Sequence, residues 1–227
     1  MTLSIGKEKI GDGTEIIEML IKAFEDIEYS DKKEHELVEA LRESENYIPE
    51  LSIVAKVDNK IVGYILCTEV NIINGEDTNK ALAIAPFAVL PEYRNKKIGS
   101  KMIKRAFTKA SKLGYKGIVV LGYKSIFEKY GFKPAWIYDV KAPFDVPEDN
   151  YMVKDIKKGY FDNVKGTVEY AEAFKDFKKN AVSTLVWYSI FYYLSFFILR
   201  NIFNISLITN GTSEINITRI QSFNVNA

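Results

Sequence analysis

Residues 94–99 read Arg-Asn-Lys-Lys-Ile-Gly, three cations in a turn that closes on the smallest residue. The residues that follow place Ile98, Met102, Ile103, Ala106, Phe107 and Ala110 on one face at helical spacing. The start of a helix leaves backbone N–H groups without partners and carries the positive end of the helix dipole, so it attracts anions. With cations beside it, the chemistry it suits is the holding of a phosphate-bearing ligand. A solvated turn that carries lysines fits the same residues, since charge runs are common.

The element that leads into this turn must position it. Residues 81–89 read as a buried strand with a change of phase: Leu82 and Ile84 share one face, but the next large apolar residues, Phe87 and Val89, fall one step out of register. Side chains on a strand alternate with a period of two, so the slip predicts an extra residue, a β-bulge, near Ala85 and Pro86. Pro86 agrees, because a residue without an N–H is tolerated at bulges and edges rather than in a central ladder. A bulge leaves nearby backbone groups free to pair with something other than protein.

Composition excludes several function classes. The chain has 227 residues, enough for one domain with an appendage, and a net charge of +1 gives no case for nucleic acid as a partner. The single cysteine, Cys67, rules out an intramolecular disulfide and lies in an apolar strand, where it reads as a small buried hydrophobe. With one histidine, His35, neither a conventional zinc site nor a histidine-based triad is expected, and no metal is assigned. Residues 1–15 lack an apolar h-region, so no secretory signal is expected.

The stretch PFAVLPEYRNKKIGSKMI resembles the acetyl-CoA-binding core of the GNAT N-acetyltransferase superfamily: Arg94 and Gly99 match its pattern, and Lys97 stands where the first glycine is usual. GYKGIVVLGYKSIFEKYGFKPA resembles the next strand and helix of that fold, closing on its aromatic-x-x-aromatic-Gly-Phe signature. Within the superfamily the chain is similar to small bacterial predicted acetyltransferases with a Pro-Phe-Asp-Val-Pro segment, here residues 143–147. The likeness covers residues 1–177. It implies an α/β (α+β) fold: a mixed, mostly antiparallel sheet splayed at a central parallel strand pair and flanked by helices.

The resemblance also implies roles. The backbones of Phe87, Ala88 and Val89 would hold the pantetheine arm and polarise a thioester carbonyl. The N–H groups of Asn95, Lys96, Lys97, Ile98, Gly99 and Ser100 would hold a pyrophosphate, with charge from Arg94 and Lys97. Acetyl-CoA is the implied cosubstrate, and the implied reaction moves its acetyl group to an amine of a small molecule or protein. Glu69, near a strand end, is a candidate for ordering the water that deprotonates the amine; an exposed strand-end carboxylate is the plainer reading. Many members carry a tyrosine at the position of Phe127, placed to protonate the departing thiolate. Phe127 has no proton to give, so Tyr123 and Tyr130 become the candidate acids, with core packing as the alternative for Tyr130. Phe127 and Lys97 also leave open a non-catalytic CoA-binding or sensory module.

In chain order, strands are expected near residues 2–5, 51–57, 61–70, 116–121, 133–139, 151–156 and 166–170, and helices from Thr14, as N-cap, to Phe24 and after Ser30-Asp31. Residues 71–80 read as a polar loop. Composition then shifts near residue 180. Residues 181–199 carry no charge across 19 positions, about 28 Å as a helix against roughly 30 Å of bilayer hydrocarbon. Lys175, Lys178 and Lys179 precede that run, which would keep residues 1–177 cytoplasmic if 181–199 contacts the membrane. An anchor, a buried helix and an extension foreign to the family (residues 178–227) all remain open, as does a homodimer.

Overall fold

The structure, a computed structural model, describes residues 2–27 and 30–175. The uncharged run at 181–199 and the rest of the extension lie outside them, and among the described residues no helix is long and apolar enough to cross a membrane. The elements are β1 (Leu3–Lys7), α1 (Gly13–Phe24), α2 (Glu34–Arg42), β2 (Ser52–Val57), β3 (Lys60–Asn74), β4 (Asp77–Val89), α3 (Ile98–Lys112), β5 (Gly117–Leu121), α4 (Lys124–Phe127), β6 (Lys133–Pro134), β7 (Val140–Lys141), β8 (Tyr151–Asp155) and β9 (Gly166–Glu169). The strands form one sheet in the order β1-β2-β3-β4-β5-β8-β6, with β9 on β3 and β7 on β9. Pairing is antiparallel except for β4–β5 and β7–β9. The mixed, mostly antiparallel sheet with a central parallel pair is the expected architecture.

Apolar stripes dock the helices. In α3, Ile98, Met102, Ile103, Ala106 and Ala110 are buried, the face that periodicity predicts, with Phe107 partly buried beside them. Met102 lies against Gly63, where an added Cβ would meet its sulfur at 2.8 Å, so this glycine lets α3 approach β3 closely. In α1 the buried stripe is Ile16, Met19, Leu20 and Ala23. Its N-cap is Asp12, not Thr14 as expected. The Asp12 carboxylate instead accepts from the Lys9 N–H (3.0 Å) and Lys56 Nζ (2.7 Å), tying the helix start to β2.

Two expectations require correction. Residues 71–80 are not a loop: β3 runs on to Asn74 and β4 begins at Asp77, paired from Asn74–Asp77 inwards. Polar residues alternate there with the buried Ile72, and β9 pairs Asn71, Ile72 and Ile73 on the other edge, so the β3 half of this loop-like composition is held extended from both sides. Residues 133–139 do not form one strand. Only Lys133 and Pro134 pair with β8, and Ala135–Tyr138 turns into a 3-10 helix that closes on Asp139 at φ 53°.

Candidate active site

The bulge expected from the phase slip is present. Ile65 faces Phe87 and Cys67 faces Ile84, so Leu66 alone spans Ala85 and Pro86. On its other edge β4 pairs with β5 only through Leu82 with Ile118, Ala83 with Val119 and Ile84 with Val120. Past the bulge β4 continues to Val89, still paired with β3, but among the described residues no strand pairs its other edge. The parallel pair therefore opens at the bulge. Phe87 projects from the opened segment onto Gly99, and its ring lies 6.3 Å from that of Phe127 in α4.

A 3-10 turn, Pro91–Tyr93, and residues 94–97 carry the chain from the end of β4 into α3. Asn95 and Lys97 both sit at φ 62°, and Lys97, in the left-handed region, immediately precedes the right-handed first turn of α3. Such a left-right reversal aims successive N–H groups into one concavity, a form that binds anions. Among the described residues no side chain caps this helix start. Lys96 extends over the ring of Tyr93, its Nζ 5.0 Å from the centroid. Arg94 behaves differently: its Nε donates to the Val89 carbonyl (3.1 Å) and its Nη2 to the Ala23 carbonyl at the end of α1 (2.9 Å).

The structure separates the candidate proton carriers. The Tyr130 hydroxyl shares a 3.1 Å hydrogen bond with Ser100 Oγ in the first turn of α3. Tyr123 lies two residues beyond β5, at the start of α4 and on the β5 side of the opening. Phe127 is 6% exposed and packs edge-on against Phe132 at 5.4 Å.

Glu69 is elsewhere. It lies opposite Leu82, at the end of the parallel pairing away from the opening, and Tyr115 beyond the C-terminus of α3 donates to its Oε2 at 2.6 Å. Lys80 Nζ holds Oε1 at 2.7 Å. Desolvation pushes the carboxyl up, but the hydrogen bonds from Lys80 and Tyr115 outweigh it and the pKa is lowered. Tyr115 moves the other way, upwards, through desolvation and the neighbouring carboxylate. Glu69 thus stays ionised with both oxygens engaged, beside a polar cavity of about 330 Å³ that Thr78, Lys116 and Tyr160 also line. Cys67 is fully buried and its thiol is pushed up to about 12 by desolvation, as befits a packing residue.

A mixed sheet whose central parallel pair opens at a bulged strand, followed by a left-right backbone reversal into a helix start, has the layout of an acyl-CoA transferase scaffold. Comparison with known proteins agrees. The pattern of the acetyltransferase (GNAT) family matches residues 15–132, and the chain belongs to that family. It is 31% identical over 140 residues to the uncharacterized N-acetyltransferase YjhQ of Escherichia coli K12, covering 61% of this chain and 75% of YjhQ. The crystal structure of E. coli YhbS, a GNAT family N-acetyltransferase in complex with CoA, superposes with a TM-score of 0.68 at 25% identity over 76% of this chain and 91% of that one. A GNAT family acetyltransferase of Brucella melitensis in complex with acetyl-CoA gives a TM-score of 0.63 at 28% identity, covering 77% of this chain and 99% of that one.

Proposed function

We propose that this chain is an acetyl-CoA-dependent N-acetyltransferase that acylates a primary amine, of a small molecule or a protein, by direct attack within a ternary complex. The observation that carries this reading is the parting of β4 from β5 at the Ala85–Pro86 bulge, immediately before the anion turn. The edge of Phe87, Ala88 and Val89, which no described strand pairs and where Arg94 takes the Val89 carbonyl, suits the amide-bearing pantetheine arm, which pairs as another strand would. The concavity of residues 95–100 suits the pyrophosphate, with Lys96 and Lys97 supplying charge. The relatives crystallised with CoA and acetyl-CoA support the same ligand here.

Acetyl-CoA supplies an acetyl group activated as a thioester. An N–H of the opened β4 edge lowers the energy of negative charge developing on the carbonyl oxygen, and the two binding segments fix the approach geometry. The neutral amine nitrogen attacks the carbonyl carbon, the C–S bond breaks, and the surplus amine proton passes to water. The departing sulfur receives a proton from the Tyr123 side of the opening or from solvent, since Phe127 offers none and the Tyr130 hydroxyl is turned to Ser100. A thiol with a pKa of roughly 8.5 can leave unassisted, at a lower rate. Glu69, at the far end of the parallel pairing, serves the fold rather than the amine.

The absence of a hydroxyl at Phe127 favours a second reading, a CoA-binding module without turnover. Calorimetric titration with CoA, followed by thiol release from acetyl-CoA across a panel of amines, tests both. Binding with turnover supports the enzyme, binding without turnover on any amine supports the module, and no binding overturns both.

A further inference from the structure

We infer that Arg94 is a positioning residue, locking the end of β4 to the end of α1, and not a ligand of the phosphate. The inference rests on the reading of the adjacent turn as a CoA site. Both groups that Arg94 grips are main-chain carbonyls. Val89 is the last residue of β4, at the edge of the opening, and Ala23 lies in the last turn of α1, where carbonyls lack intrahelical partners. A cation there also meets the negative end of the helix dipole. The planar guanidinium presents its donors as a rigid fork, so one side chain can bridge two carbonyls from different elements; a lysine ammonium on a flexible stem cannot hold the same geometry.

A second link runs beside the first. Lys22 of α1 pairs with Glu92 in the 3-10 turn at 3.0 Å, though both ends are half exposed and the pair contributes little alone. Lys32 Nζ donates to the Phe24 carbonyl at 2.6 Å and to that of Ile27, so the end of α1 is braced from both directions. The turn itself needs bracing, because Asn95 and Lys97 both hold positive φ, which L-residues disfavour. Arg94 fixes it at the β4 side and the first turn of α3 fixes it at the other. The phosphate charge is then met by Lys96, Lys97 and the backbone, and Arg94 acts on it only through the shape of the turn.

Charge and shape separate in the Arg94→Lys and Arg94→Gln variants. A positioning role predicts that both weaken CoA binding to a similar extent, about tenfold, 1.4 kcal/mol, and both lower the melting temperature without ligand. It also predicts that the salt dependence of CoA binding stays as in the parent, whereas Lys97→Gln reduces it. A phosphate ligand predicts the reverse: Arg94→Lys keeps most of the affinity, Arg94→Gln loses it with a shallower salt dependence, and neither changes the unliganded melting temperature. That pattern overturns the inference.

Hydrogen exchange on the unaltered protein guards against variants that do not fold. The Arg94 Nε–H and Nη2–H protons, bonded to the Val89 and Ala23 carbonyls, should exchange no faster when CoA is added. Faster exchange means that the ligand draws Arg94 off these carbonyls, and the inference fails. Should the parent bind no CoA, the cofactor reading falls, and the melting temperatures alone decide the role of Arg94.

Discussion

The ring of Phe87 lies directly on Gly99, so that a Cβ on Gly99 would stand 2.9 Å from Phe87 Cζ. Past the bulge, β4 and the first turn of α3 are thereby in contact through a residue with no side chain. Gly99 is small because of this packing, quite apart from any ligand.

Gly99→Ala therefore pushes on the segment that would pair with pantetheine. Overpacking of this kind costs about 1–3 kcal/mol, and better helix propensity returns about 1 kcal/mol. The expected net loss is about 1 kcal/mol, a fall in melting temperature of about 2–4 °C, with CoA binding weakened by about tenfold. Gly99→Glu adds negative charge at the anion turn and should abolish CoA binding. Unchanged CoA affinity of Gly99→Glu by calorimetry sinks the assignment of this turn.

Glu69 separates a structural carboxylate from a catalytic one. Its pKa is lowered in the fold, so its stabilising effect is complete above the unfolded value of about 4.3 and is lost as pH falls through the folded value. The stability difference between the parent and Glu69→Gln should hold steady from pH 7 to about 5 and shrink below about 4. It should not exceed about 1 kcal/mol, because Lys80 is mostly exposed. Turnover of Glu69→Gln should stay within about twofold, about 0.4 kcal/mol on the barrier. A fall of more than about a hundredfold at unchanged stability would restore Glu69 as the base.

The bulge was legible in the sequence because the period of two is strict: Leu82, Ile84, Phe87 and Val89 cannot share a face without an extra residue. The start of α3 was legible for a similar reason, since its apolar residues from Ile98 onwards recur at helical spacing. The β3–β4 extension was not, because Asn71, Asn74, Asp77 and Asn79 are poor strand formers, held extended by the hairpin pairing and, on the β3 side, by the distant β9. The place of Glu69 was also hidden. Its distance from the opening depends on register, and its partner Tyr115 is 46 residues away in sequence. Arg94 was found as a cation, but its partner at Ala23, 71 residues earlier, belongs to tertiary structure alone.

Lys97 occupies a left-handed position that glycine adopts without strain. An L-residue there costs about 1–2 kcal/mol, and glycine loses about 0.4–1 kcal/mol more chain entropy on folding. Lys97→Gly should therefore raise stability by up to about 1 kcal/mol, while Lys97→Gln, which keeps the strain, should leave it unchanged. Both remove one cation from the turn and should weaken CoA binding with a reduced salt dependence. Denaturant unfolding of the two variants checks the first claim, and titrations at two salt concentrations check the second. A glycine variant less stable than the parent would show that the lysine side chain itself holds the turn.

The last prediction concerns the proton for the departing sulfur. Phe127 lies between Phe87 and Phe132, its ring close over Gly122, at the position where the family resemblance expects a hydroxyl. Phe127→Tyr should raise turnover, towards the factor of about 10²–10⁴ that a positioned acid supplies, wherever sulfur departure limits the rate. Tyr130→Phe should leave turnover within about twofold and weaken CoA binding instead, because the Tyr130 hydroxyl is bonded to Ser100 in the turn proposed to hold the pyrophosphate. Tyr123→Phe is the decisive member of the set. If Tyr123 supplies the proton, its loss slows thiol release and Phe127→Tyr rescues the double variant. Thiol release measured for the three single variants and the double one separates the cases. A parent with turnover that none of them changes by more than about twofold leaves solvent as the proton source.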